Sequence, residues 1–412
     1  GEEWICGAFW GPRKTLLPTK KMDRKPQNAR SKSAWRLSGA LLFFIFTLPK
    51  LATFFLNPNP TSLRNIHRDM DVIIPALKPT CVTKSVLDGI QRYIKPRRIL
   101  IITVDDDRCK AFAKMASDLN LDVNLECVIQ DTIFPNLTHA HVSDYFRQAH
   151  GKQERYDEDF GDKRSGWYFQ QFLKMGVSQH LPSLSEHYLV WDSDMVILRP
   201  MEVLRDNTRA VVHIGGHILP TYDATYKRLF GVQPASYYEH TQKKSFIAHH
   251  MVVYKPYMLE LLGNLSLRYS EAAPSGEIQG KFRGNSGNFQ GFRKDSWPYH
   301  VMDQASAGVG RGSMPVYGFS EYSTYISWTK QHYPESQFIL TTQRWRRDPL
   351  ELINKIIRVL GGPSDGLQVC CPEPWMLWLN WLMGFDYVGF ELATHQTLNS
   401  RNLKAHCNFY ES

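Results

Sequence analysis

Residues 188–200 read YLVWDSDMVILRP, an apolar, strand-like run that is interrupted by two aspartates. A carboxylate is costly to bury without a cation or strong donors, so Asp192 and Asp194 require a partner. In a strand, residues i and i+2 face the same side, which would let both carboxylates reach one hard cation while Ser193 points away. Oxygen ligands with room for water and phosphate suit Mg²⁺ or Mn²⁺. The alternative is that the two aspartates end a strand at a turn.

The residues around this pair favour a strand that continues past it. No Gly, Pro or Asn lies between Tyr188 and Leu198, so a turn has little support there. Upstream, residues 164–175 have the spacing of a helix that would pack beside the acidic strand. Such a helix could bring Arg164 or Lys174 toward bound phosphates.

Four segments follow one another in a fixed order along the chain. They are RSGWYFQQ at 164–171, the strand ending in DSD at 192–194, SFIAHHM at 245–251 and FSEYSTY at 319–325. Together they resemble a largely uncharacterised, DxD-containing family of nucleotide-diphospho-sugar transferase-like proteins, which is similar to metal-dependent glycosyltransferases with the GT-A fold. The resemblance covers roughly residues 71–345. It implies a fold and a nucleotide-sugar donor, and it names neither the sugar nor the acceptor.

The first part of the chain alternates predicted strands and helices. The predicted strands are Met70–Pro75, Arg98–Val104 and Asn124–Ile129, and the predicted helices are Cys81–Tyr93 and Ala111–Leu119. This order predicts an α/β fold with a GT-A-like (Rossmann-like), mostly parallel sheet and helices on both faces. Ligands of such sheets bind outside the carboxyl ends of the strands. No Gly-rich phosphate loop follows the first strand, which argues against an NAD enzyme or a P-loop NTPase.

We expect the strand ends and the acidic segment to line one nucleotide-sugar crevice. A rival metal site is the run Asp105–Asp107, of which at least two carboxylates should be solvated because three adjacent ones repel. Asp105 is the one that could touch a ribose or base, and Trp167 and Trp191 could pack near the sugar or base. The predicted donor-binding residues are Pro75, Thr103, Asp105, Arg164, Gln171, Lys174, Trp191 and Ser193.

Two later segments supply candidates for the metal shell and for catalysis. His249 and His250 are adjacent in a predicted strand, so one of them faces the crevice in either register. GT-A enzymes often complete the metal shell with a late histidine, so the resemblance implies His250, with His249 as the second choice. Glu321 is read as a general base with a raised pKa, as an acceptor for sugar hydroxyls, or as a neighbour of the helix N-cap Ser320. An inverting reaction would use Glu321 as its base, whereas a retaining reaction would not need one.

The charge distribution and one apolar segment favour a membrane-tethered enzyme. The formal net charge is +9, but residues 1–38 hold nine Lys/Arg and three Asp/Glu, so the basicity belongs mainly to this tail and argues against nucleic-acid binding. Residues 39–56 are apolar over about the length of a bilayer span. The preceding positive charge predicts a single-pass type II signal anchor in the Golgi or ER membrane, with the catalytic domain in the lumen. A cleaved signal peptide is the alternative.

This organisation predicts a cytosolic tail, an anchor, a stem, a GT-A-like catalytic domain and a C-terminal helical extension, at residues 1–38, 39–56, 57–69, 70–345 and 346–412. Six cysteines follow the tail, and they allow fifteen disulfide pairings among which the sequence cannot choose. Neither paired Cys-x-x-Cys knuckles nor a His-Glu-x-x-His helix is present, so a zinc site has little support.

These features predict a metal-dependent glycosyltransferase of the secretory pathway that uses Mn²⁺ or Mg²⁺. It would move a sugar from a nucleotide-diphosphate donor to an unknown glycan, protein or lipid acceptor. The metal would bind Asp194 directly, could reach Asp192 through water, and would neutralise the departing diphosphate. Two alternatives stay open: a catalytically inactive binding or scaffold protein on the GT-A fold, and a sugar nucleotidyltransferase, which usually carries a basic, Gly-rich loop after the first strand.

Overall fold

The computed structural model of the protein describes residues 69–150, 158–215, 219–239, 242–272, 296–307, 318–360, 369 and 371–390. The predicted tail and anchor, and all of the predicted stem except its last residue, lie outside these residues. Among the residues described, no helix combines the length and the apolar character that crossing a bilayer requires.

Strands and helices alternate along the described part of the chain. The strands are β1 (Asp71–Pro75), β2 (Arg98–Thr103), β3 (Asn124–Ile129), β4 (His187–Trp191), β5 (Met195–Ile197), β6 (Leu204–Arg205), β7 (Arg209–His213), β8 (Tyr237–Glu239), β9 (Gln242–Lys244), β10 (His250–Tyr254), β11 (Gln337–Leu340), β12 (Trp345–Arg346) and β13 (Tyr387–Gly389). The α-helices are α1 (Cys81–Gly89), α2 (Asp106–Asp118), α3 (His139–His150), α4 (Glu158–His180), α5 (Pro220–Phe230), α6 (Lys255–Ala272), α7 (Trp297–Ser306), α8 (Glu321–His332), α9 (Glu351–Val359) and α10 (Pro374–Leu382). A π-helical turn continues α1, and short 3₁₀ turns follow β3 and α8, at Ile90–Ile94, Gln130–Thr132 and Pro334–Ser336.

The centre of the domain is a five-stranded sheet in the order β10-β4-β1-β2-β3. β1 to β4 run parallel to one another, and β10 is antiparallel to β4. Every residue of β1 is buried, as a near-continuous apolar strand of a covered parallel sheet should be. The predicted mixed α/β architecture with a mostly parallel sheet flanked by helices is therefore confirmed.

Helices pack on both faces of this sheet because successive strand side chains point to opposite sides. Ile73 and Leu100 belong to one apolar core, together with buried side chains of α4, α6, α7 and α8. Val72, Ile74 and Ile99 belong to a second core, together with α1, α2, β5 and β13. The sheet is thus the middle layer between two cores.

The chain switches direction across the sheet between β1 and β4. β1, β2 and β3 follow one another toward one edge, and β4 then returns to pair with the other side of β1. Such a switch leaves a crevice beyond the carboxyl ends of the two strands, and open α/β sheets bind ligands there. Pro75 ends β1 and Trp191 ends β4 at this crevice.

The acidic segment is a turn, and the prediction of a straight strand through it is wrong. β4 ends at Trp191 and β5 starts at Met195, with the N–H of Met195 donating to the carbonyl of Asp192 at 3.2 Å. β5 leaves the central sheet and pairs with β13 instead. Asp and Ser favour turns even without Gly or Pro, because their side chains bond to nearby backbone groups.

A small sheet of distant segments supports the acidic turn. β12 pairs in parallel with β13, and β13 pairs antiparallel with β5. The N–H of Phe390, the residue after β13, donates to the carbonyl of Asp194 at 2.8 Å. The part of the chain for which the sequence predicts a helical extension therefore contributes a strand to this support, in addition to α9 and α10.

Two disulfides join described segments, Cys81–Cys371 and Cys109–Cys127, with Cα–Cα distances of 5.5 and 5.7 Å. The first connects the start of α1 to the chain just before α10. The second connects α2 to β3. The structure therefore selects two pairings that the sequence left open.

Candidate active site

Asp192 is the centre of a hydrogen-bonded cluster at the crevice. Its Oδ1 accepts hydrogen bonds from Lys174 Nζ at 2.6 Å and from the hydroxyl of Tyr322 at 2.7 Å. Its Oδ2 lies 3.0 Å from Nδ1 of His249. Lys174 is on α4, Tyr322 is at the start of α8, and His249 precedes β10. Three separate elements therefore converge on the carboxyl end of β4.

Lys174 lies between two carboxylates. Its Nζ is 2.6 Å from Oδ1 of Asp192 and 2.7 Å from Oε1 of Glu321, and the side chains of Lys174 and Glu321 are each 4% exposed. Buried charges are tolerated only when they are paired, and here one ammonium is shared by two acids. We refer to Lys174, Asp192, His249, Glu321 and Tyr322 as the Lys174 cluster.

The two carboxylates of the Lys174 cluster differ in how readily they ionise. Burial opposes ionisation of Asp192, but the charge of Lys174 and the hydrogen bond with His249 outweigh burial and hold the pKa of Asp192 below its ordinary value. Burial raises the pKa of Glu321, which Lys174 offsets only in part. Burial would lower the pKa of Lys174, but the two carboxylates raise it. Asp192 is therefore the stable anion, and Glu321 is the group that can take up a proton.

The first turn of α8 positions Glu321. Ser320 is the N-cap, and its side-chain oxygen accepts the N–H of Ser323 at 3.3 Å. The N–H of Glu321 donates to Oε1 of Gln171 on α4 at 3.1 Å. Glu321 is thus both a neighbour of the N-cap and a buried member of the Lys174 cluster, and its role as a base stays a prediction.

His249 and His250 have different surroundings. The backbone of His249 has φ of 61°, a left-handed conformation that is strained for a residue other than Gly, and its carbonyl accepts the N–H of Asp192 at 3.0 Å. The buried ring of His250 bonds to the carbonyl of Ala248 at 3.2 Å and packs against Trp191. Burial lowers the pKa of His250 to about 4. The structure therefore brings His249, the second choice, to Asp192, and it leaves His250 in the core.

The other residues predicted to contact the donor near the acidic turn differ in their burial and in their contacts. Ser193 is partly exposed in the turn itself. Trp191 is fully buried and donates from Nε1 to the carbonyl of Met195 at 2.7 Å, so it supports the turn from the core and has no ring face open to a sugar. Gln171 orients Glu321 by accepting its N–H. Arg164 is buried nearer the start of the same helix. Trp167 is partly buried and its ring stacks at 6.4 Å on Tyr222.

Three predicted donor contacts lie at the ends of β1 and β2. Pro75 is the buried last residue of β1. The hydroxyl of Thr103 donates to the carbonyl of Leu77 at 2.9 Å. Asp105 is the N-cap of α2, where its carboxylate accepts the N–H of Arg108 at 2.9 Å and pairs with the Arg108 guanidinium. Asp105 thus has a structural role, while contacts of these residues with a donor stay predictions.

Asp192 and Asp194 could supply only part of the ligand shell of a metal ion. Among the residues described, no three His, Cys, Asp or Glu side chains converge in a way that could hold an ion. Both oxygens of Asp192 accept hydrogen bonds, whereas Asp194 is partly exposed in the turn. Lys174 is the ammonium that pairs with both Asp192 and Glu321, so this cluster holds two carboxylates for one ammonium. Mg²⁺ and Mn²⁺ suit such excess negative charge, and Mg²⁺ often uses one or two carboxylates together with substrate phosphates.

Tyr322 is the one member of the Lys174 cluster that was not predicted from the sequence. Its hydroxyl donates to Asp192, and Nζ of Lys174 lies 4.6 Å from the centre of its ring. Its position next to Glu321, in the first turn of a helix with an N-cap, is the sequence feature that could have indicated it. Trp345 was not selected either, and its ring centre lies 5.2 Å from that of His249.

Several solved structures are similar to parts of this chain at low scores. Mouse xyloside xylosyltransferase 1 in its apo form is 9% identical, with 78% of this chain and 97% of that chain covered and a TM-score of 0.35. Glucosyl-3-phosphoglycerate synthase from Mycobacterium tuberculosis, in complex with Mn²⁺, uridine diphosphate and glucosyl-3-phosphoglycerate, is 9% identical, with 62% and 87% covered and a TM-score of 0.28. The 4-diphosphocytidyl-2C-methyl-D-erythritol synthase from Anaerococcus prevotii is 12% identical, with 55% and 87% covered and a TM-score of 0.23. Scores this low establish neither a common fold nor a common activity.

No curated protein matches the sequence. A family model does match it, over residues 83–338, and its description is a family of unknown function, DUF6492. This match includes the acidic turn and all members of the Lys174 cluster. Because it spans more than half of the 412 residues, the chain belongs to the DUF6492 family.

Proposed function

We propose that the protein is a glycosyltransferase with a GT-A-like domain, which moves a sugar from a nucleotide-diphosphate donor to a glycan, protein or lipid acceptor. The observation that carries this proposal is the position of the acidic turn. Residues 192–194 follow the carboxyl end of β4 at the switch point beside β1, where open α/β sheets bind nucleotides.

The four sequence motifs support the same proposal, because they meet at this turn. Three of them supply Asp192, His249, Glu321 and Tyr322 to the Lys174 cluster. The remaining motif supplies Gln171, which accepts the N–H of Glu321. Lys174 follows that motif on the same helix.

In this proposal the donor diphosphate lies against the acidic turn. Asp194 and the donor phosphates would hold Mn²⁺ or Mg²⁺, with Asp192 in reach through water. Bound there, the metal supplies positive charge for the departing diphosphate. Lys174 pairs with both Asp192 and Glu321, offsets part of their negative charge and fixes both carboxylates in place.

Donor hydrolysis by the purified full-length protein tests the proposal. We expect nucleoside diphosphate to be released from one member of a panel of nucleotide sugars when Mn²⁺ is present, and chelation to stop the release. The Asp194→Asn variant should keep its fold and lose about a hundredfold or more of this activity, since a bound metal supplies several kcal/mol of charge stabilisation. The matched control is Asp107→Asn, which changes an exposed carboxylate of the rival acidic run and should stay fully active.

Other outcomes of this assay would contradict the proposal in distinct ways. Full activity of Asp194→Asn would remove the acidic turn from the site. Donor binding without release, under every metal condition, would favour the binding or scaffold protein. In a parallel assay with a nucleoside triphosphate and a sugar phosphate, release of pyrophosphate would identify a nucleotidyltransferase.

Glu321 is the proposed base if the transfer inverts the anomeric carbon. In that role it removes the proton of the acceptor hydroxyl, which its raised pKa suits. Glu321→Gln keeps the size of the side chain and an oxygen for Lys174, and it should lower turnover about a hundredfold with donor affinity unchanged. A turnover assay and calorimetric donor binding measure the two effects separately. The exposed Glu335→Gln is the control, and an active Glu321→Gln variant would exclude the role of base.

We also propose that the domain works in the lumen of the ER or Golgi. Cys81–Cys371 and Cys109–Cys127 are the supporting observation, because disulfides persist in oxidising compartments and are rare in the cytosol. A lumenal domain agrees with the type II anchor that the sequence predicts at residues 39–56.

A further inference from the structure

The C-terminal helices present apolar side chains to solvent. Leu352, Ile356, Val359 and Leu360 are exposed on α9 and directly after it, at 42%, 51%, 86% and 61%. Their spacing of i, i+4, i+7 and i+8 places them on one face of the helix. A helix of a globular domain normally buries such a face, so α9 has an apolar surface that the described residues do not cover.

α10 presents two exposed tryptophans of its own. Trp375 and Trp378 are 50% and 57% exposed and lie three residues apart. The side chain of Asn380 on α10 donates to the carbonyl of Pro349, just before α9, at 3.0 Å. The Cys81–Cys371 disulfide fixes the chain before α10 to the domain. We refer to these exposed apolar residues of α9 and α10 as the apolar ridge: Leu352, Ile356, Val359, Leu360, Trp375 and Trp378.

We propose that the apolar ridge rests on the surface of a lipid bilayer. Groups of exposed apolar side chains mark interaction surfaces, and tryptophan favours the boundary between lipid and water because its ring is apolar and its N–H is polar. Beside its apolar face α9 also carries two exposed basic residues, Arg358 and Lys355, of which Lys355 pairs with Glu351. Basic residues that flank an apolar helix face are attracted to anionic headgroups.

The short segment between the predicted anchor and β1 would keep the apolar ridge close to a bilayer. The predicted bilayer segment ends at residue 56, and β1 begins at Asp71. Even fully extended, the residues between them reach at most about 50 Å. A domain on so short a tether stays beside the membrane, where apolar surface is more stable against lipid than against water.

Quenching of tryptophan fluorescence by brominated phospholipid tests the proposal. Full-length protein is placed in brominated phosphatidylcholine vesicles, with and without phosphatidylserine, beside a Trp375→Phe/Trp378→Phe variant. We expect the variant to lose part of the quenched emission, since it removes the two tryptophans of the ridge among the eleven in the chain. Quenching that increases with phosphatidylserine supports the contribution of Lys355 and Arg358.

A second variant separates lipid contact from simple loss of fluorescence. Ile356→Glu/Val359→Glu should lose at least about half of the quenching that Trp375 and Trp378 contribute, because two charges on the apolar face oppose its insertion. Val232→Glu changes an equally exposed apolar residue elsewhere and should leave the quenching unchanged. The proposal is overturned if the double tryptophan variant is quenched as strongly as the native protein. It is also overturned if the ridge is protected only as protein concentration rises, which would identify a second copy of the chain as its partner.

Discussion

The Lys174→Met variant is expected to lose about 3–5 kcal/mol of its free energy of unfolding at neutral pH, because removing one side of a buried ion pair leaves an uncompensated buried charge. Lys174 is the ammonium that lies 2.6 Å from Asp192 and 2.7 Å from Glu321. Met nearly matches its length and leaves the two carboxylates facing each other. Urea unfolding, followed by tryptophan fluorescence, measures the loss.

The size of this loss should depend on pH. Burial raises the pKa of Glu321 and Lys174 opposes that rise, so the pKa of Glu321 increases further when Lys174 is removed. A carboxyl group with a folded-state pKa above its unfolded value destabilises the fold at higher pH, and protonation relieves this as pH falls. The difference in unfolding free energy between native protein and variant should therefore shrink as the pH falls below neutral.

Lys110→Met is the matched control for the Lys174 variant. Lys110 pairs with Asp107 at 2.8 Å, but both side chains are largely exposed, so water replaces the lost partner. We expect no measurable change in its unfolding midpoint. A pH-independent loss in Lys174→Met would show that Lys174 acts through packing and not through its charge.

The second large effect is expected from the Cys81–Cys371 disulfide. Its removal in a Cys81→Ser/Cys371→Ser variant should cost about 4–5 kcal/mol, because closing a longer loop removes more entropy from the unfolded chain. The sequence separation is 290 for this bond and 18 for Cys109–Cys127. The Cys109→Ser/Cys127→Ser variant should therefore lose less, about 3 kcal/mol. Urea unfolding of both variants gives the comparison, and an equal or larger loss for the short loop would contradict the entropic explanation.

The loss of the Cys81–Cys371 disulfide should also make the acidic turn less stable. Cys371 precedes α10, α10 leads into β13, and Phe390 after β13 donates to the carbonyl of Asp194. Amide hydrogen exchange at residues 192–195 should therefore be faster in the Cys81→Ser/Cys371→Ser variant than in the Cys109→Ser/Cys127→Ser variant.

Local patterns were sufficient to predict the first three strands of the central sheet, β1 to β3. The apolar run Asn124–Ile129 is β3 with the same bounds, and β1 and β2 differ from their predicted ranges by one residue at one end. The start of α2 was placed too late, at Ala111 in place of Asp106, because Asp105 was considered as a ligand and not as an N-cap. Errors of this kind arise where one residue type serves both chemistry and local backbone structure.

The candidate site was only partly predictable, because its contacts join distant parts of the chain. The sequence selected Asp192, Lys174 and Glu321 separately, but the shared ion pairs join residues that are 18 and 147 positions apart. The turn at Asp192 was missed because β5 pairs with β13, a strand near the other end of the described chain. No periodic pattern in one segment specifies a partner that far away.

The bond from Phe390 to Asp194 also has a consequence for biosynthesis. A chain emerging from the ribosome presents its N-terminal residues first, and domains fold as units. Asp194 therefore leaves the ribosome long before β13 exists to hold it. A nascent chain can assemble the parallel strands early, but it cannot complete the support of the acidic turn until Tyr387–Gly389 have been translated.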